Sequence, residues 1–178
     1  NNFDYHLIPF EEAVQNNLRV IMPYYGIPVD QTQENVAMAF NKNILSDLLR
    51  EDIGFNGVIC SDWGIITGRH WGVNDLSIME RYEKSIHAGI DQFGGETDTS
   101  HLIKLVKENK ILESRIDNSV RRILINKFDL GLFDNPYVDE NNVKQKVNTS
   151  RNINAGLDAQ RKSLVMLENN GILPLKKE

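Results

Sequence analysis

The sequence has few of the features that mark redox, membrane or nucleic-acid-binding proteins. It contains one cysteine, Cys60, which excludes an intramolecular disulfide, and this thiol lies in an apolar run where it is expected to pack as a small hydrophobic residue. No apolar run approaches the roughly 20 residues needed to span a bilayer. The 20 lysines and arginines are spread along a chain of net charge -5, so the sequence predicts neither a nucleic-acid partner nor binding to an anionic membrane.

Phosphate-binding loops and clusters of metal ligands are also missing. No GxGxxG or Walker-type glycine loop follows any of the apolar runs, which argues against a nucleotide-binding protein. His6, His87 and His101 lie far in sequence from any second group of ligand-type residues, so no metal is predicted. The sequence implies no cofactor, and it favours a neutral small-molecule partner.

Three short apolar runs predict buried strands at residues 20–25, 58–61 and 90–93. A helix is predicted over residues 41–54, and a second, which opens on a Ser-x-x-Glu capping box, over 77–89. The strand starts are 38 and 32 residues apart, a spacing that suits a parallel array of βα units. Open doubly wound sheets and eight-stranded barrels both contain such units. The missing phosphate loop favours the barrel.

The second half of the chain predicts further helices and then a change of domain. Apolar spacing predicts one helix through residues 102–106 and another through 116–124 that ends near Gly131. The turn-rich segment LFDNPYVDENN divides the chain into residues 1–134 and 135–178, the latter a linker and the start of a second domain. A helix from about Ile153 to Ser163 is expected next, followed by a strand and turn in LVMLENNGILPL.

The segment GFNGVICSDWG carries the clearest chemical signal. Asp62 follows an apolar strand, and parallel barrels build their active sites at the carboxyl ends of their strands. Trp63 adds an apolar ring next to the carboxylate, and sugars present both flat C–H faces and polar edges to such a pair. The alternatives are that Asp62 caps a turn or helix and that Trp63 belongs to the core.

Several segments of the chain resemble the β-glucosidases of glycoside hydrolase family 3. A strand of that family ends in Ser-Asp-Trp, and its Asp is the nucleophile; here the triplet is Ser61, Asp62 and Trp63. The triplet alone would be a weak signal, but the similarity runs in family order along nearly the whole chain. The other similar segments are HLIPFEEAV, VIMPYYG, HAGIDQFGG, SVRRILINKFDLGLFDNPYVD and LVMLENNGILPL.

The resemblance implies a fold and a set of site residues. The fold class is α/β: residues 1–134 would be the C-terminal portion of a (β/α)8 TIM-type barrel, and residues 135–178 would lead into an α/β sandwich. Asp62 would be the catalytic nucleophile. Met22, Tyr25 and Trp63 would bind the sugar.

The implied function is retaining hydrolysis of terminal non-reducing β-D-glucosyl or β-D-xylosyl residues from an oligosaccharide or glycoside, by a two-step covalent mechanism. The N-acetylglucosaminidase branch of the family has Ser-Asp-Asp where this chain has Ser-Asp-Trp, so the glucosidase and xylosidase branch is favoured. The sequence leaves the preferred sugar, the linkage and the oligomeric state open, and it allows a homo-oligomer.

Two parts of the family machinery are absent from this sequence. The family's Lys-His pair, which grips sugar hydroxyls, does not occur, and the general acid of β-glucosidase-type members comes from the second domain. Glu96 is an in-chain candidate for a second carboxylate, and Arg69, His70 and Trp71 could line a second subsite. We therefore expect the chain alone to be inactive and to need the rest of the barrel and the second domain. The competing hypothesis is a catalytically silent carbohydrate-binding or structural segment.

Overall fold

The computed structural model describes residues 2–176 of the chain. Internal contacts divide the chain between Asp134 and Asn135 into two compact units. The predicted assignment of these two parts to a barrel and to a second domain remains a prediction.

The first unit is built around a parallel sheet of strands β1 (Val20–Ile21), β2 (Val58–Trp63) and β3 (Gln92–Gly94), in that order. Val20 pairs with Val58, and Cys60 pairs with Gln92. Parallel neighbours require crossover connections, which helical segments supply here, and the α/β class is confirmed. Strand β1 is shorter than the predicted run at residues 20–25, because Pro23 has no N–H to donate to a ladder.

The helical segments of this unit are α1 (Phe3–Gln15), a 3₁₀ turn (Met38–Phe40), a π-helix (Asn43–Asp52), α2 (Ile78–Ala88), α3 (Ser100–Lys107) and α4 (Glu113–Asp129). The sequence predicted the last four of these segments, but it did not predict α1 or the 3₁₀ turn. The segment after β1 was expected to be an ordinary amphipathic helix. It is wound more widely, and near its end the Ile53 N–H donates to the Leu48 carbonyl five residues back.

The predicted helix caps are present. The side chain of Asn41 accepts a hydrogen bond from the Ile44 N–H at 3.2 Å, and Gly54 follows the π-helix with φ of +82°. Ser77 and Glu80 form the capping box at the start of α2. These short-range signals set where the chain turns back toward the next strand.

The core lies between the sheet and the helices around it. Ile59 on β2, Ile66 after β2 and Leu105 on α3 have no exposed surface. Phe40 and Phe55 are each 1% exposed, and both belong to the same apolar cluster. Strand β2 is paired on both edges and packed from the helix side, so its carboxyl end is held on a rigid support.

A buried carboxylate joins the amino ends of β2 and β3. Asp91, directly before β3, has a side chain with no exposed surface. Burial lowers the pKa of Arg50 and Arg115, and the charge of Asp91 opposes that shift. The groups within reach of the Asp91 carboxylate are Arg50 at 2.6 Å, Ser119 Oγ at 2.7 Å, Arg122 at 2.9 Å, the Ile59 N–H at 3.0 Å and Arg115 at 3.5 Å.

The second unit contains a 3₁₀ turn (Glu140–Asn142) and helices α5 (Val143–Lys146) and α6 (Ser150–Ser163). The strand predicted after α6 is not formed: residues 164–176 are neither helix nor strand. A strand needs a ladder partner, and none of the described residues pairs with this segment.

Among residues 2–176, no helix combines the length and the apolar character that crossing a membrane would need.

Candidate active site

Asp62 lies near the carboxyl end of the central strand, at the last position before the exposed rim. Its Oδ1 accepts the N–H of Trp63 at 2.7 Å, which orients the carboxylate relative to the strand. Earlier in β2, Val58 and Ile59 are buried, with relative exposures of 2% and 0%. Asp62 itself is half-buried, so the carboxylate is accessible from the rim while its main chain is fixed.

Tyr25 comes from the segment after β1 and reaches across to the end of β2. Its hydroxyl donates to the Trp63 carbonyl at 2.7 Å. Burial is the largest cause that raises the pKa of Tyr25, and the hydrogen bond and negative charge of the Asp62 carboxylate raise it further. Tyr25 and Asp62, far apart in sequence, are therefore neighbours at one edge of the sheet. A phenol that keeps its proton can act as a hydrogen-bond donor beside the carboxylate.

Trp63 presents its ring to solvent at the same rim, with a relative exposure of 58%. The indole lies against the main chain of β3: a β-carbon placed on Gly94 would be 2.6 Å from Trp63 Cε3, and one on Gly95 would be 2.6 Å from Trp63 Cδ1. Only residues without a side chain allow this approach. The high exposure argues against the alternative that Trp63 is a core residue.

The loop after β2 brings two further side chains to Tyr25. The Arg69 guanidinium lies 5.1 Å from the centre of the Tyr25 ring, and the Trp71 ring is tilted against it at 5.7 Å. The positive charge of Arg69 lowers the pKa of Tyr25, opposing the larger effects of burial and Asp62. Of the three residues that the sequence offers for a second subsite, Arg69 and Trp71 lie at this rim against Tyr25, and His70 makes no such contact with that ring.

Cys60 lies on the same strand as Asp62, two residues before it. Burial raises the pKa of the Cys60 thiol, and the charge of Asp62 adds to that effect. The thiolate is the reactive form of cysteine, so the raised pKa makes this half-buried thiol a poor nucleophile.

Glu96, the in-chain candidate for a second carboxylate, forms hydrogen bonds with the turn after β2. Its Oε1 accepts the main-chain N–H groups of Ile66 at 3.1 Å and Thr67 at 3.2 Å, together with the Thr67 hydroxyl at 3.3 Å. The carboxylate thus closes the turn that follows β2. An oxygen engaged with several donors in this way is poorly placed to give a proton to a leaving group.

Met22 lies at a different place from Tyr25. It contributes to the wall of an apolar cavity of about 240 Å³ that is also lined by Phe3 and Leu7 of α1 and by Leu48 of the π-helix. Its side chain is 51% exposed. The predicted position of Met22 against a sugar ring remains a prediction.

Two residues of structural consequence escaped the sequence analysis. Ser61 is buried with no exposed surface and bridges β2 to β3, although the sequence shows it only as part of the Ser-Asp-Trp triplet. Asp91 stands in an apolar run, and a lone carboxylate there signals a buried charge that needs cations.

No three His, Cys, Asp or Glu side chains within residues 2–176 are grouped so that they could hold a metal ion.

The family model described as "Glycosyl hydrolase family 3 N terminal domain" matches residues 2–125. The chain belongs to glycosyl hydrolase family 3. The sequence-based resemblance to this family is therefore confirmed.

Curated relatives from the family match over nearly the whole chain. Beta-glucosidase C of Emericella nidulans is 46% identical over 99% of this chain, and the periplasmic beta-glucosidase/beta-xylosidase of Dickeya chrysanthemi is 38% identical over 99%. The match spans only 30% and 31% of these two relatives. This chain therefore corresponds to less than a third of the length of the family members it resembles.

Solved structures of family members share the same fold. A β-glucosidase of intestinal bacteria involved in saponin metabolism has a TM-score of 0.77 and 30% identity, with 95% of this chain and 22% of that chain covered. A mutant β-glucosidase from Listeria innocua, in complex with laminaribiose, has a TM-score of 0.75 and 30% identity, covering 95% of this chain and 23% of that chain. The arrangement of elements seen here is thus that of a family 3 N-terminal domain segment.

Proposed function

We propose that this chain forms the nucleophile-bearing part of the active site of a retaining β-glycosidase that hydrolyses terminal β-D-glucosyl or β-D-xylosyl residues. The observation that carries the proposal is the position of Asp62 at the carboxyl end of β2, beside the Tyr25 hydroxyl and the exposed Trp63 ring. Membership of glycosyl hydrolase family 3 supports it, because relatives of this chain are named as β-glucosidases and β-xylosidases.

In the proposed first step, an oxygen of the Asp62 carboxylate attacks the anomeric carbon. The bond from that carbon to the leaving oxygen breaks, and a general acid protonates the leaving oxygen. In the second step a water oxygen attacks the same carbon, the group that served as acid accepts the water proton, and Asp62 leaves as a carboxylate. Retaining enzymes hold the two carboxyl groups about 5 to 5.5 Å apart.

We propose that the general acid lies outside residues 1–178. The hydrogen bonds of Glu96 to the Ile66 and Thr67 main chain support this, because they engage the carboxylate that the sequence offered as an in-chain alternative. We also propose that residues 1–134 complete a (β/α)8 barrel with further strands and that residues 135–178 lead into a second domain. Both open edges of the sheet, at β1 and β3, could take additional strands.

The test of this function is a panel of nitrophenyl glycosides given to a full-length protein that carries the chain. We expect turnover of β-glucoside or β-xyloside, with the first-formed sugar keeping the β configuration in a proton NMR time course. An α-configured first product would contradict the retaining mechanism. Binding without turnover of any member of the panel would favour the silent carbohydrate-binding alternative.

Residues 1–178 expressed alone are expected to show no measurable turnover. Without a positioned acid the leaving oxygen departs unprotonated, which costs roughly 10² to 10⁴ in rate. Apolar side chains such as Leu124 and Phe128, at 38% and 63% exposure, also favour self-association. Size-exclusion chromatography and the same nitrophenyl assay provide the measurement. A monodisperse monomer with turnover of about one per second would require an acid within the chain, beginning with Glu96.

Replacing Trp63 with Ala is expected to impair catalysis more than folding. Because most of the ring is already in water, its removal should shift the melting temperature little. The sugar would lose an apolar face worth roughly 1.4 kcal/mol, which corresponds to a kcat/KM that is about tenfold lower. Trp63→Phe keeps an aromatic face and should retain most of the activity. Phe40→Ala, at a side chain 1% exposed, serves as the comparator for a true core loss of about 3 to 5 kcal/mol. A Trp63→Ala variant as unstable as Phe40→Ala, with normal turnover, would assign Trp63 to the core.

A further inference from the structure

The pairing of β2 with β3 is irregular at the position of Asp62. Cys60 pairs with Gln92 and Trp63 pairs with Gly94, so β2 advances by three residues while β3 advances by two. Ser61 and Asp62 together therefore face the single residue Phe93, which is the arrangement of a β-bulge. A bulge bends its strand and changes the direction of the side chains it carries.

Regular ladder hydrogen bonds continue on both sides of this bulge. Before it, the Asp91 N–H donates to the Ile59 carbonyl at 2.9 Å; after it, the Gly64 N–H donates to the Gly94 carbonyl at 3.0 Å. Between these two points the extra residue disturbs the main-chain ladder. A buried N–H or carbonyl in such a gap needs another partner.

The hydroxyl of Ser61 supplies partners on both strands. Its Oγ accepts the Gly94 N–H at 2.9 Å and donates to the Asp62 carbonyl, also at 2.9 Å. A hydroxyl can do both, because it carries one donor and two acceptor positions. Ser61 has no exposed surface, so water does not reach the side chain to replace these bonds.

We infer that Ser61 is a positioning residue that holds the bulge and thereby directs the Asp62 carboxylate toward the anomeric carbon. The inference rests on the proposed function of Asp62. Without the hydroxyl, the Gly94 N–H and the Asp62 carbonyl lose a partner inside the protein, and the strands relax toward a regular register. A shift of one residue in a strand exchanges its two faces, so even a partial shift re-aims Asp62.

The main chains of the two strands lie close together at the bulge. A β-carbon on Gly94 would lie 2.6 Å from the Ser61 carbonyl oxygen, which shows how closely the two strands approach at the bulge. Displacement of a reacting group by about 1 Å can cost on the order of 10²-fold in rate. Ser61 would therefore act on the rate of attack by Asp62 without touching the sugar.

The test compares Ser61→Ala, Ser61→Thr and Ser61→Cys in the full-length protein. The measured quantity is the rate at which dinitrophenyl 2-deoxy-2-fluoro-β-glucoside labels Asp62, because its activated leaving group needs no general acid. We expect Ser61→Ala to slow labelling by about 10²-fold, with KM for the nitrophenyl substrate changed by less than about threefold. Ser61→Thr keeps a hydroxyl and should label at least about tenfold faster than Ser61→Ala.

Ser85→Ala is the matched control. Ser85 also has no exposed surface, but its hydroxyl donates only to carbonyls of its own helix, those of Arg81 at 2.9 Å and Tyr82 at 3.0 Å. Its loss should leave the labelling rate within about twofold of the parent protein, since it does not touch the paired strands.

Labelling of Ser61→Ala at the parental rate would overturn the inference while leaving Asp62 as the nucleophile. Labelling of a residue other than Asp62 in the parent protein would instead overturn the proposed function, and the two failures are thus distinguishable. If Ser61→Ala does not fold, the comparison of Ser61→Thr with Ser61→Cys replaces it, because sulfur is a weak hydrogen-bonding partner of similar size. Equal labelling rates for those two variants would also overturn the inference.

Discussion

Replacing Asp62 with Asn is expected to lower kcat of the full-length protein by about 10⁴-fold or more, the scale seen when a catalytic nucleophile is removed. Asn has nearly the shape of Asp, and its carbonyl oxygen can still accept the Trp63 N–H that Asp62 Oδ1 accepts at 2.7 Å. The change therefore removes the negative charge with little disturbance of β2. An amide does not form the covalent glycosyl ester that a two-step reaction requires.

The labelled residue provides an independent measurement of the same assignment. A 2-deoxy-2-fluoroglycoside should leave its sugar on Asp62, and mass spectrometry of the digest would identify the modified side chain. Azide supplied to an Asp62→Ala variant should restore product formation from an activated substrate, giving a glycosyl azide of inverted configuration. A label on any other residue, Cys60 included, would show that the nucleophile assignment is wrong.

Asp98→Asn is a suitable control for the loss of a carboxylate at this end of the sheet. Asp98 lies beyond β3, where its Oδ1 accepts the Ser100 N–H at 2.8 Å at the start of α3. Hydrogen bonds from the Ser100 side chain and from its N–H lower the pKa of Asp98, so this control side chain carries its charge at neutral pH. We expect kcat of this variant to stay within about twofold of the parent, because no step of the proposed mechanism uses Asp98.

Replacing Asp91 with Asn is expected to destabilise the fold by about 3 to 5 kcal/mol, the cost of removing one partner from a buried ionic cluster. The Asp91 side chain has no exposed surface, and Arg50, Arg115 and Arg122 are 14%, 23% and 27% exposed. These guanidinium groups keep their charge when the carboxylate is neutralised. Burial, which already lowers the pKa of Arg50 and Arg115, would then act without the opposing charge of Asp91.

The measurement is the free energy of unfolding in urea, with Asp129→Asn as the matched variant. Asp129 forms an ion pair with Arg19 at 2.7 Å, but the two side chains are 47% and 60% exposed. Exposed pairs of this kind contribute about 0 to 1 kcal/mol. If both variants lost the same small free energy with an unchanged denaturant slope, the cluster would not be the structural anchor described here.

Local chemistry explains why much of the secondary structure could be predicted from the sequence. The capping box of Ser77 and Glu80 and the positive φ of Gly54 and Gly131 depend on neighbours within a few residues. The apolar runs at residues 58–61 and 90–93 likewise mark strands that the sheet buries. Two strand predictions were wrong: β1 stops at Ile21, because Pro23 has no N–H for a ladder, and residues 164–176 form no strand, because none of the described residues pairs with them.

The sequence by itself determined the family, because similar segments run in family order along nearly the whole chain, and it predicted Asp62, at a strand end, as the nucleophile. The tertiary structure decided how that carboxylate is surrounded and held. Asp91 meets Arg50 and Arg122 at separations of 41 and 31 residues, and Ser61 meets Gly94 at 33. Tyr25 meets Trp63 at 38 residues. Contacts across such distances depend on the packing of whole βα units, and no short-range pattern in the chain encodes them.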